Sequence, residues 1–472
     1  PRTGEERVLA EVFAQVLGID RVGIDDSFFD LGGDSILAIQ LVSRARGRGV
    51  AFSARNVFEH KTVAGLAGFV RSDSPVRVLE ELPGGGVGDM PLTPIARWLV
   101  ERGGGFGRFA QHMVLTLPPG IDRAGLVATL AAVTDHHDMW RARLVTDENG
   151  WRLSVPDRGS VDTAEVIERV EFDETITAAE LSVIAAAGLD RALSRLNPRV
   201  GVMISAVWLD PRTNGPGSCD RPGYLVLAVH HLAVDGVSWR IIIPDLIAAW
   251  TRISAGGVPA LTPVTTSMRR WAHAITELGT DRSREREIPF WQAVAAGNDP
   301  LLGSRALDPT VDVAAVLRSV EVEMTEELTT QLLTTVPTRF HAGVEDGLLT
   351  ALVLAVTAWR AQRGEHQPSV LINLEGHGRE QHIVEGADLS HTVGWFTSLF
   401  PIRLDLSNVD VTDALAGGPA LGEALKTVKE ALRAVPDKGI GYGILRYGDP
   451  ATSDQIPAVT PQIGFNYLGQ IS

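Results

Sequence analysis

A stretch with several glycines and two prolines interrupts the sequence at residues 73–90 and limits how the chain can fold. Ser74 and Pro75 lie at its start, and Gly84, Gly85 and Gly86 follow Pro83. This composition is typical of a linker, because glycine is flexible and proline cannot continue a helix. The chain has 472 residues, more than one domain usually contains, so we expect separate folding units on the two sides of the linker.

Residues 1–72 show the spacing of an all-helical unit. Apolar residues between Val8 and Leu17 fall on one helical face, and Gly18 supplies a stop. A second helical pattern begins at Ser35, and a third covers residues 62–70. We therefore predict a small all-α unit in this part of the chain.

Residues 91–472 alternate between strand and helix patterns, which is typical of an α/β protein. The apolar run at 224–229 predicts a buried strand. Other clear patterns predict helices at 238–250, 346–362 and 421–435 and strands at 369–374 and 461–468. Because this part is long for one core, we expect two lobes that divide near residues 270–300.

The charge and the cysteine content argue against several classes of protein. The net charge of −15 disfavours nucleic acids and anionic membranes as partners. Cys219 is the only cysteine, which excludes an intrachain disulfide and a C-x-x-C metal site. The chain starts at Pro1 with no basic region, and no apolar run is long enough for a bilayer. We expect a piece of a longer protein of the bacterial cytoplasm, without a signal peptide.

A serine follows two glycines at the start of the second helical pattern, in the sequence Gly32-Gly33-Asp34-Ser35-Ile36. Backbone N–H groups at a helix N-terminus favour a bound phosphate. A serine in this position also serves as an ordinary helix cap. From these residues alone, Ser35 is either a cap or the attachment site of a phosphate group.

Two adjacent histidines, His230 and His231, lie where the buried strand is predicted to end, and Asp235 and Gly236 follow them. A strand end holds a side chain rigidly, as acid–base chemistry requires. Only one of two adjacent strand residues faces a given side, so one histidine can face a channel while the other packs. Ordinary packing of both is the alternative. A metal site is disfavoured because the pattern offers no third ligand.

Glu375 opens the sequence E-G-H-G-R-E directly after a predicted strand, a placement that mirrors that of His231. The segments T-V-G-W-F-T-S at 392–398, K-G-I-G-Y-G at 438–443 and F-N-Y-L-G at 465–469 follow it. Taken singly, each segment has an ordinary structural explanation: a surface carboxylate, core aromatic residues or a turn.

The helical unit with its Gly-Gly-Asp-Ser-Ile sequence resembles, over residues 1–72, the peptidyl carrier domains of nonribosomal peptide synthetases, which are four-helix bundles. In that family the matching serine carries a 4′-phosphopantetheine arm, and the resemblance assigns this role to Ser35. Asp34, in place of the commoner histidine, resembles carriers that precede an epimerization domain.

The sequence H-H-L-A-V-D-G at 230–236 resembles the H-H-x-x-x-D-G motif of the condensation-domain superfamily. This superfamily shares a two-lobed α/β architecture with chloramphenicol acetyltransferase. The resemblance implies that His231 is catalytic, that His230 supports it, and that Asp235 has a structural role in a pair with an arginine.

An earlier motif offers a candidate for that arginine. His136-His137-Asp138 leads to Arg141 and resembles the superfamily's early H-H-x-x-x-R motif, with departures at Trp140 and Leu144. We therefore expect Arg141 to pair with Asp235.

The segments at 375–380, 392–398, 438–443 and 465–469, preceded by P-I-A-R-W at 94–98, resemble in their order the signature of epimerization domains. The resemblance covers residues 91–472, with departures at Ala96 and at His391, where arginine is more usual. It implies an isomerase that follows its own carrier domain.

Such an isomerase removes the Cα proton of an L-aminoacyl or peptidyl thioester on Ser35 and returns a proton to the opposite face. The resemblance and the placement at strand ends assign Glu375 and His231 jointly as acid and base. The imidazolium of His231 or the amide of Asn466 would stabilise the enolate oxygen, with Tyr467 as a further candidate. We expect neither a metal nor pyridoxal phosphate in this reaction.

Two other functions stay open: an amide-forming transferase of the condensation type, and a catalytically inactive docking module. The expected partners are an upstream adenylation domain, a downstream condensation domain and a phosphopantetheinyl transferase. Nucleic acid and membrane are not expected as partners.

Overall fold

The computed structural model describes most of the chain as two compact units. The first unit comprises Pro1–Glu277 and Gln381–Phe396, and the second comprises Leu278–Glu380 and Thr397–Ser472. The described residues are 1–33, 35–50, 52, 54–69, 78–118, 120–148, 150–173, 175–212, 221–308 and 310–469. Asp34, Cys219 and residues 73–77 of the predicted linker therefore lie outside them. The domain limits given above stay predictions.

The N-terminal part of the first unit folds into short helices around one apolar core. Its described helices are α1 Gly4–Leu17, α2 Ser35–Arg46, α3 Ala54–His60 and α4 Val63–Ala67. Gly18 ends α1 in the left-handed conformation, at φ 68°, which glycine adopts without a steric penalty. Leu9, Phe13 and Phe28 are fully buried in the core. The prediction of a small helical bundle is confirmed.

The rest of the first unit alternates strands and helices, as the sequence predicts. Its strands are β1 Gly88–Pro91, β2 Ala110–Thr116, β3 Arg143–Asp147, β4 Gly150–Val155, β5 Ile167–Asp173, β6 Ile204–Arg212 and β7 Tyr224–His230. Its helices are α5 Pro94–Arg102, α6 Arg123–His136, α7 Thr163–Val166, α8 Ala178–Arg195, α9 Gly236–Ser254 and α10 Met268–Thr280, the last of which continues into the second unit. Short 3₁₀ turns lie at Asp138–Arg141, Pro198–Val200 and His231–Ala233.

Strand β7 lies inside a sheet of order β2-β7-β6-β5. It pairs antiparallel with β2 and with β6, whereas β5 and β6 are parallel. Leu225 and Leu227 on one face of the strand, and Val226 and Ala228 on the other, are all at most 2% exposed. This burial explains why residues 224–229 form an unbroken apolar run rather than an alternating one. A second, antiparallel sheet has the order β1-β4-β3.

The second unit combines a small sheet with surrounding helices. Its strands are β8 Ser369–Gly376, β9 Ser398–Asp405 and β10 Ile463–Phe465. Its helices are α11 Ile288–Ala295, α12 Glu326–Thr330, α13 Val336–Phe340, α14 Val344–Ala361, α15 Val411–Leu415, α16 Pro419–Arg433, α17 Ile440–Tyr447 and α18 Pro450–Ser453. Short turns of 3₁₀ helix lie at Arg282–Glu287, Ala314–Val316 and Pro436–Gly439, and one of π helix lies at Gln331–Thr335. A further 3₁₀ turn, Gln381–Ile383, belongs to the first unit.

The sheet of the second unit has the order β10-β8-β9. β9 is antiparallel to β8, and β10 is parallel to it, with Phe465 opposite Leu374. The predicted final strand at 461–468 is shorter than expected. Backbone pairing with β8 covers only Ile463–Phe465, and Asn466 uses its side chain instead to contact Glu375.

Among the described residues, no single helix is long and apolar enough to cross a membrane. The stretches Glu326–Phe340 and Val344–Ala361 pass that test only as a pair, with a bend of 100° between them. Leu349, Val353 and Leu354 of α14 are nearly fully buried in the core of the second unit. This packing explains the apolar composition of α14.

Gly439 lies where the second unit leaves no room for a side chain. Its φ is +84°, and a Cβ atom there would lie 2.1 Å from the ring of Phe400. We expect Gly439→Ala to lower the free energy of unfolding by about 2–4 kcal/mol, because overpacking adds to the cost of the positive φ. Urea denaturation monitored by fluorescence measures this loss.

The matched control is Gly417→Ala, at a φ of +79° with no atom within 4 Å of the added methyl group. This variant has the backbone strain without the clash, so it should lower the free energy of unfolding by about 1 kcal/mol. Equal losses in the two variants would contradict the tight packing between Gly439 and Phe400.

Candidate active site

The end of β7 places His230 and His231 in different surroundings. His230 is fully buried, and its Nε2 donates to the carbonyl oxygen of Phe106 at 2.9 Å. Its Nδ1 accepts the N–H of Leu232 at 3.2 Å. Burial lowers the pKa of His230 to about 4. A neutral ring with both nitrogens occupied by the main chain is suited to support the turn rather than to exchange protons.

His231 lies between aromatic rings. Phe109 stacks on its ring at 4.8 Å between centroids, and the Trp395 ring lies at 4.6 Å. The carbonyl oxygen of Phe109 also accepts the backbone N–H of His231 at 2.8 Å. Removal from water disfavours the imidazolium and lowers the pKa of His231. At neutral pH the imidazole is therefore uncharged and able to accept a proton.

A side-chain relay fixes which nitrogen of His231 carries the proton. The Nε1–H of Trp239 donates to Oε1 of Gln111 at 2.8 Å, and Nε2 of Gln111 lies 3.1 Å from Nε2 of His231. Because an indole can only donate, the amide oxygen of Gln111 must face Trp239 and its NH₂ group must face His231. Nε2 of His231 is thus the acceptor, and the proton of the neutral ring is on Nδ1.

No motif in the sequence indicates this role for Gln111. The residue lies on β2 opposite Val229. A polar residue in a strand beside a buried apolar run is the only signal that the sequence offers, and it does not identify a partner.

Asp235 connects the turn after β7 to the segment at 394–396. Its carboxylate caps α9 by accepting the N–H of Ser238 at 2.8 Å, and it also accepts the N–H of Phe396 at 3.2 Å. The hydroxyl of Ser238 accepts the N–H of Gly394 at 3.2 Å. These bonds hold Trp395 beside His231.

The expected pair of Arg141 and Asp235 is wrong. Arg141 is buried, and its guanidinium binds Asp138 at 2.8 Å. It also donates to the carbonyl oxygens of Thr134, Asp135 and Pro156. Asp138 lies on the same 3₁₀ turn as Arg141, so a local carboxylate satisfies the arginine. Through these bonds, Arg141 holds the end of α6 to the residue that follows β4.

Glu375 lies in the second unit, next to the end of β8. Because β10 runs parallel to β8 with Phe465 opposite Leu374, Asn466 falls beside Glu375. Nδ2 of Asn466 donates to Oε2 of Glu375 at 2.9 Å. The structure thus groups these two predicted site residues within one unit. Tyr467, the next residue, is half-buried.

The surrounding protein removes the Glu375 carboxyl partly from water and raises its pKa, although the side chain keeps an exposed surface. A carboxylate with a raised pKa is a stronger base than one in water. Ion pairs hold the loop that follows Glu375. Glu380 contacts His377 at 3.5 Å and Lys438 at 3.7 Å.

The chain around Ser35 fits a phosphate arm. Ser35 is the first residue of α2, a helix of 12 residues, so backbone N–H groups converge near it. Gly32 has a φ of +95°, and a Cβ atom on Gly33 would lie 2.3 Å from the ring of Phe28. The approach to the helix therefore requires glycine at both positions. The side chain of Ser35 itself lies outside the described atoms.

Comparisons with protein families agree with this architecture. The model of the condensation domain matches residues 217–472, and that of the phosphopantetheine attachment site matches residues 7–70. The chain belongs to the condensation-domain family. It also contains a phosphopantetheine carrier domain, and its fold is a small helical carrier followed by a two-lobed α/β domain of the condensation superfamily.

Similar curated proteins are nonribosomal peptide synthetases. A linear gramicidin synthase protein of Brevibacillus parabrevis is 35% identical over 478 aligned positions, which cover 100% of this chain and 9% of that protein. Surfactin synthase subunit 1 of Bacillus subtilis is 33% identical over 480 positions, which cover 100% of this chain and 12% of that protein. The chain thus spans about a tenth of the length of these relatives.

A similar solved structure is the epimerization domain from the third module of tyrocidine synthetase B. The TM-score is 0.66 at 27% sequence identity, over 84% of this chain and 83% of that one. The X-domain from teicoplanin biosynthesis has a TM-score of 0.59 at 20% identity, over 83% and 79% of the two chains. The second likeness shows the shared fold alone.

The relay from Trp239 to His231 predicts the effect of a charge at position 111. In Gln111→Glu, a carboxylate would replace the amide donor and stabilise the imidazolium, so the pKa of His231 should rise by about 1–2 units. The indole of Trp239 can still donate to the new carboxylate. NMR titration of protein with ¹⁵N-labelled histidine measures the change.

Gln455→Glu, at an exposed position of the second unit, is the matched surface variant. An unchanged His231 in Gln111→Glu would contradict the assigned orientation of the amide.

Proposed function

We propose that this chain epimerises an L-aminoacyl or peptidyl thioester, held on its own carrier domain, into a mixture of L and D forms during nonribosomal peptide synthesis. His231 and Glu375 serve as the acid and base. They belong to different units, and we infer the role of each residue from the groups that surround it.

The position of Glu375 at a strand end and its raised pKa are the observation that supports this function best. An amide-forming transferase needs one base at the histidine motif, whereas inversion of a carbon needs a second group for the opposite face. Glu375 offers a carboxyl with a raised pKa at a strand end, oriented by the amide of Asn466 at 2.9 Å. The similarity to a solved epimerization domain at 27% identity supports the same function.

His231 supplies the partner for Glu375. Its lowered pKa keeps the ring neutral, so it can take up a proton at the Nε2 lone pair after Gln111 gives way. In its protonated form it can return that proton. His230 and Asp235 act as positioning residues, because their hydrogen bonds to main-chain groups fix the turn and the segment around His231.

The protons balance in this scheme. One group enters the reaction as the base and the other in its protonated form. The base removes the Cα proton from one face, negative charge develops on the thioester carbonyl oxygen, and the protonated group gives its proton to the opposite face. The two groups end with their protonation states exchanged, and proton exchange with water restores them. Bonds other than the exchanged C–H bond stay intact, so the reaction reaches an L/D mixture. Asn466 orients Glu375. We also propose that Asn466 or Tyr467 stabilises the negative charge on the carbonyl oxygen.

Ser35 is the proposed attachment residue for 4′-phosphopantetheine. The arm, when bound, carries the acyl group as a thioester, whose α-proton is more acidic than that of an amide. Tethering gives a high effective concentration, so a weak contact between carrier and catalytic domain suffices. The proposed partners are an upstream adenylation domain, a downstream condensation domain and a phosphopantetheinyl transferase, in the bacterial cytoplasm.

Solvent exchange tests the proposed chemistry. The chain is loaded with a series of L-aminoacyl-pantetheine groups, incubated in D₂O and hydrolysed, and the product is analysed for α-deuterium and chirality. We expect deuterium together with the D isomer in the native chain. His231→Gln and Glu375→Gln should each lower the rate of D-isomer formation by about 10²-fold or more, because each removes a proton-transfer group.

His273→Gln and Glu285→Gln are the matched controls, since they make the same changes in the same two units at residues outside the site. Adding an aminoacyl acceptor to the loaded chain separates the alternatives. Amide formation without α-exchange would replace the proposal by a condensation-type transferase, and exchange that survives in both site variants would contradict the assigned residues.

Mass spectrometry tests the attachment residue. Incubation with coenzyme A and a phosphopantetheinyl transferase should add one phosphopantetheine mass to the native chain and none to Ser35→Ala. Ser27→Ala, at another serine of the carrier, should be modified like the native chain. A mass gain in Ser35→Ala would place the arm on another residue and remove Ser35 from the proposal.

A further inference from the structure

Asp388 is a nearly buried carboxylate that has no part in the proposed reaction. It lies in segment 381–396 of the first unit, and its side chain is 10% exposed. Its Oδ1 atom accepts the backbone N–H of Ser390 at 3.2 Å and also the Ser390 hydroxyl. Its Oδ2 atom contacts the guanidinium of Arg46 at 3.5 Å. A carboxylate removed from water needs a partner for its charge, and within the described residues Arg46 is the only cation at ion-pair distance.

Arg46 does not belong to the α/β domain but to the carrier. It lies in the last turn of α2, the helix that begins at Ser35. A positive charge is favourable there, because the dipole of a helix is negative at its C-terminus. Ser35 and Arg46 are eleven positions apart, which at about 1.5 Å per residue is roughly 17 Å along the helix axis. A contact at Arg46 therefore restricts the position of the attachment residue.

The chain that connects the carrier to the α/β domain is bound to the same segment. The N–H of Leu79 donates to the carbonyl oxygen of Gly386 at 2.9 Å, two positions before the carboxylate that contacts Arg46. Glu81 accepts the backbone N–H and the hydroxyl of Ser267 at 2.5 and 2.9 Å. At about 3.5 Å per residue, the chain from the end of the carrier at Phe69 to Leu79 spans at most about 35 Å. The carrier therefore stays close to this segment.

The distribution of charge favours the same contact. Acidic and basic residues are equal in number in residues 1–72, so the net charge of −15 lies in the rest of the chain. Three arginines nevertheless lie at alternate positions from 44 to 48. A local positive patch on a neutral domain is attracted and oriented by an acidic partner. Arg48 pairs with Glu11 of α1 at 2.8 Å and so stays within the carrier, whereas Arg46 reaches the α/β domain.

We propose that Asp388 is the docking residue that receives the carrier domain of this chain through Arg46. The contact places the C-terminal end of α2 on segment 381–396, which also holds Trp395 beside His231. The surface around Asp388 thus selects a partner with a positive charge at the end of this helix. The docking contact does not depend on the proposed function, whereas its use in delivering the acyl group rests on that function.

Zero-length cross-linking of the full chain tests the contact without any reaction of a substrate. Arg46→Lys keeps the positive charge, and a carbodiimide should join the amine at position 46 to the carboxylate of Asp388 as an amide, with loss of water. Protease digestion and mass spectrometry of the monomer fraction locate the link.

Arg48→Lys is the matched control for the cross-link, because the partner of Arg48 is Glu11 within the carrier. In this variant the link should join positions 48 and 11 and should not reach Asp388. A link in Arg48→Lys without one between positions 46 and 388 in Arg46→Lys would overturn the docking contact.

A double-mutant cycle on the loaded full chain tests whether docking serves delivery. The rate of α-deuterium exchange is measured for Arg46→Gln, for Asp388→Asn and for both together. Asp388→Asn keeps an oxygen that can accept from Ser390. Each single change should slow the exchange by about 3–10-fold at low salt, because a partly buried ion pair is lost. The double variant should be no slower than either single one, because the two residues act through one contact.

Arg48→Gln is the control for the rates, and it should leave the exchange within about twofold of the native value. Losses that add up in the double variant, or an unchanged rate in Arg46→Gln, would overturn the role of the pair in delivery. A native chain that shows no exchange would contradict the proposed function instead, and the cross-link between positions 46 and 388 would still decide whether the carrier docks at Asp388.

Discussion

The carboxylate of Asp235 joins two parts of the first unit that lie 161 positions apart in sequence, and the surroundings of His231 depend on it. One oxygen caps α9 through the N–H of Ser238, and the other accepts the N–H of Phe396. Each bond uses a lone pair that would otherwise be buried without a partner. The same carboxylate therefore begins the helix after the histidine turn and fixes the aromatic segment that covers His231.

Burial acts on the two proposed proton-transfer groups in opposite directions. The ordinary pKa values are 6.5 for histidine and 4.5 for glutamate. Removal from water favours the uncharged form of each group, so it lowers the pKa of His231 and raises that of Glu375. The two values move towards each other. Similar proton affinities suit a reaction in which either group must be able to act as the base for one isomer and as the acid for the other.

Local patterns in the sequence predict much of the fold, whereas contacts between distant segments are beyond them. Gly18 ends α1 as its position indicates, and the end of the apolar run at 224–229 separates a buried His230 from a half-buried His231. The predicted partner of Arg141 is wrong, because a matching motif gives no distance and Asp138 is nearer. The contact of Asn466 with Glu375 depends on the register of β10 on β8, which no local pattern encodes. The return of residues 381–396 to the first unit likewise has no local signal.

The relay from Trp239 through Gln111 to His231 is directional, since its first member can donate but never accept. An amide between two groups that each donate and accept can rotate by 180° and satisfy both orientations. The indole removes that freedom. A phenylalanine at position 239 would remove the indole donor and leave the amide of Gln111 able to turn over, so the location of the proton on a histidine depends on an aromatic residue two hydrogen bonds away.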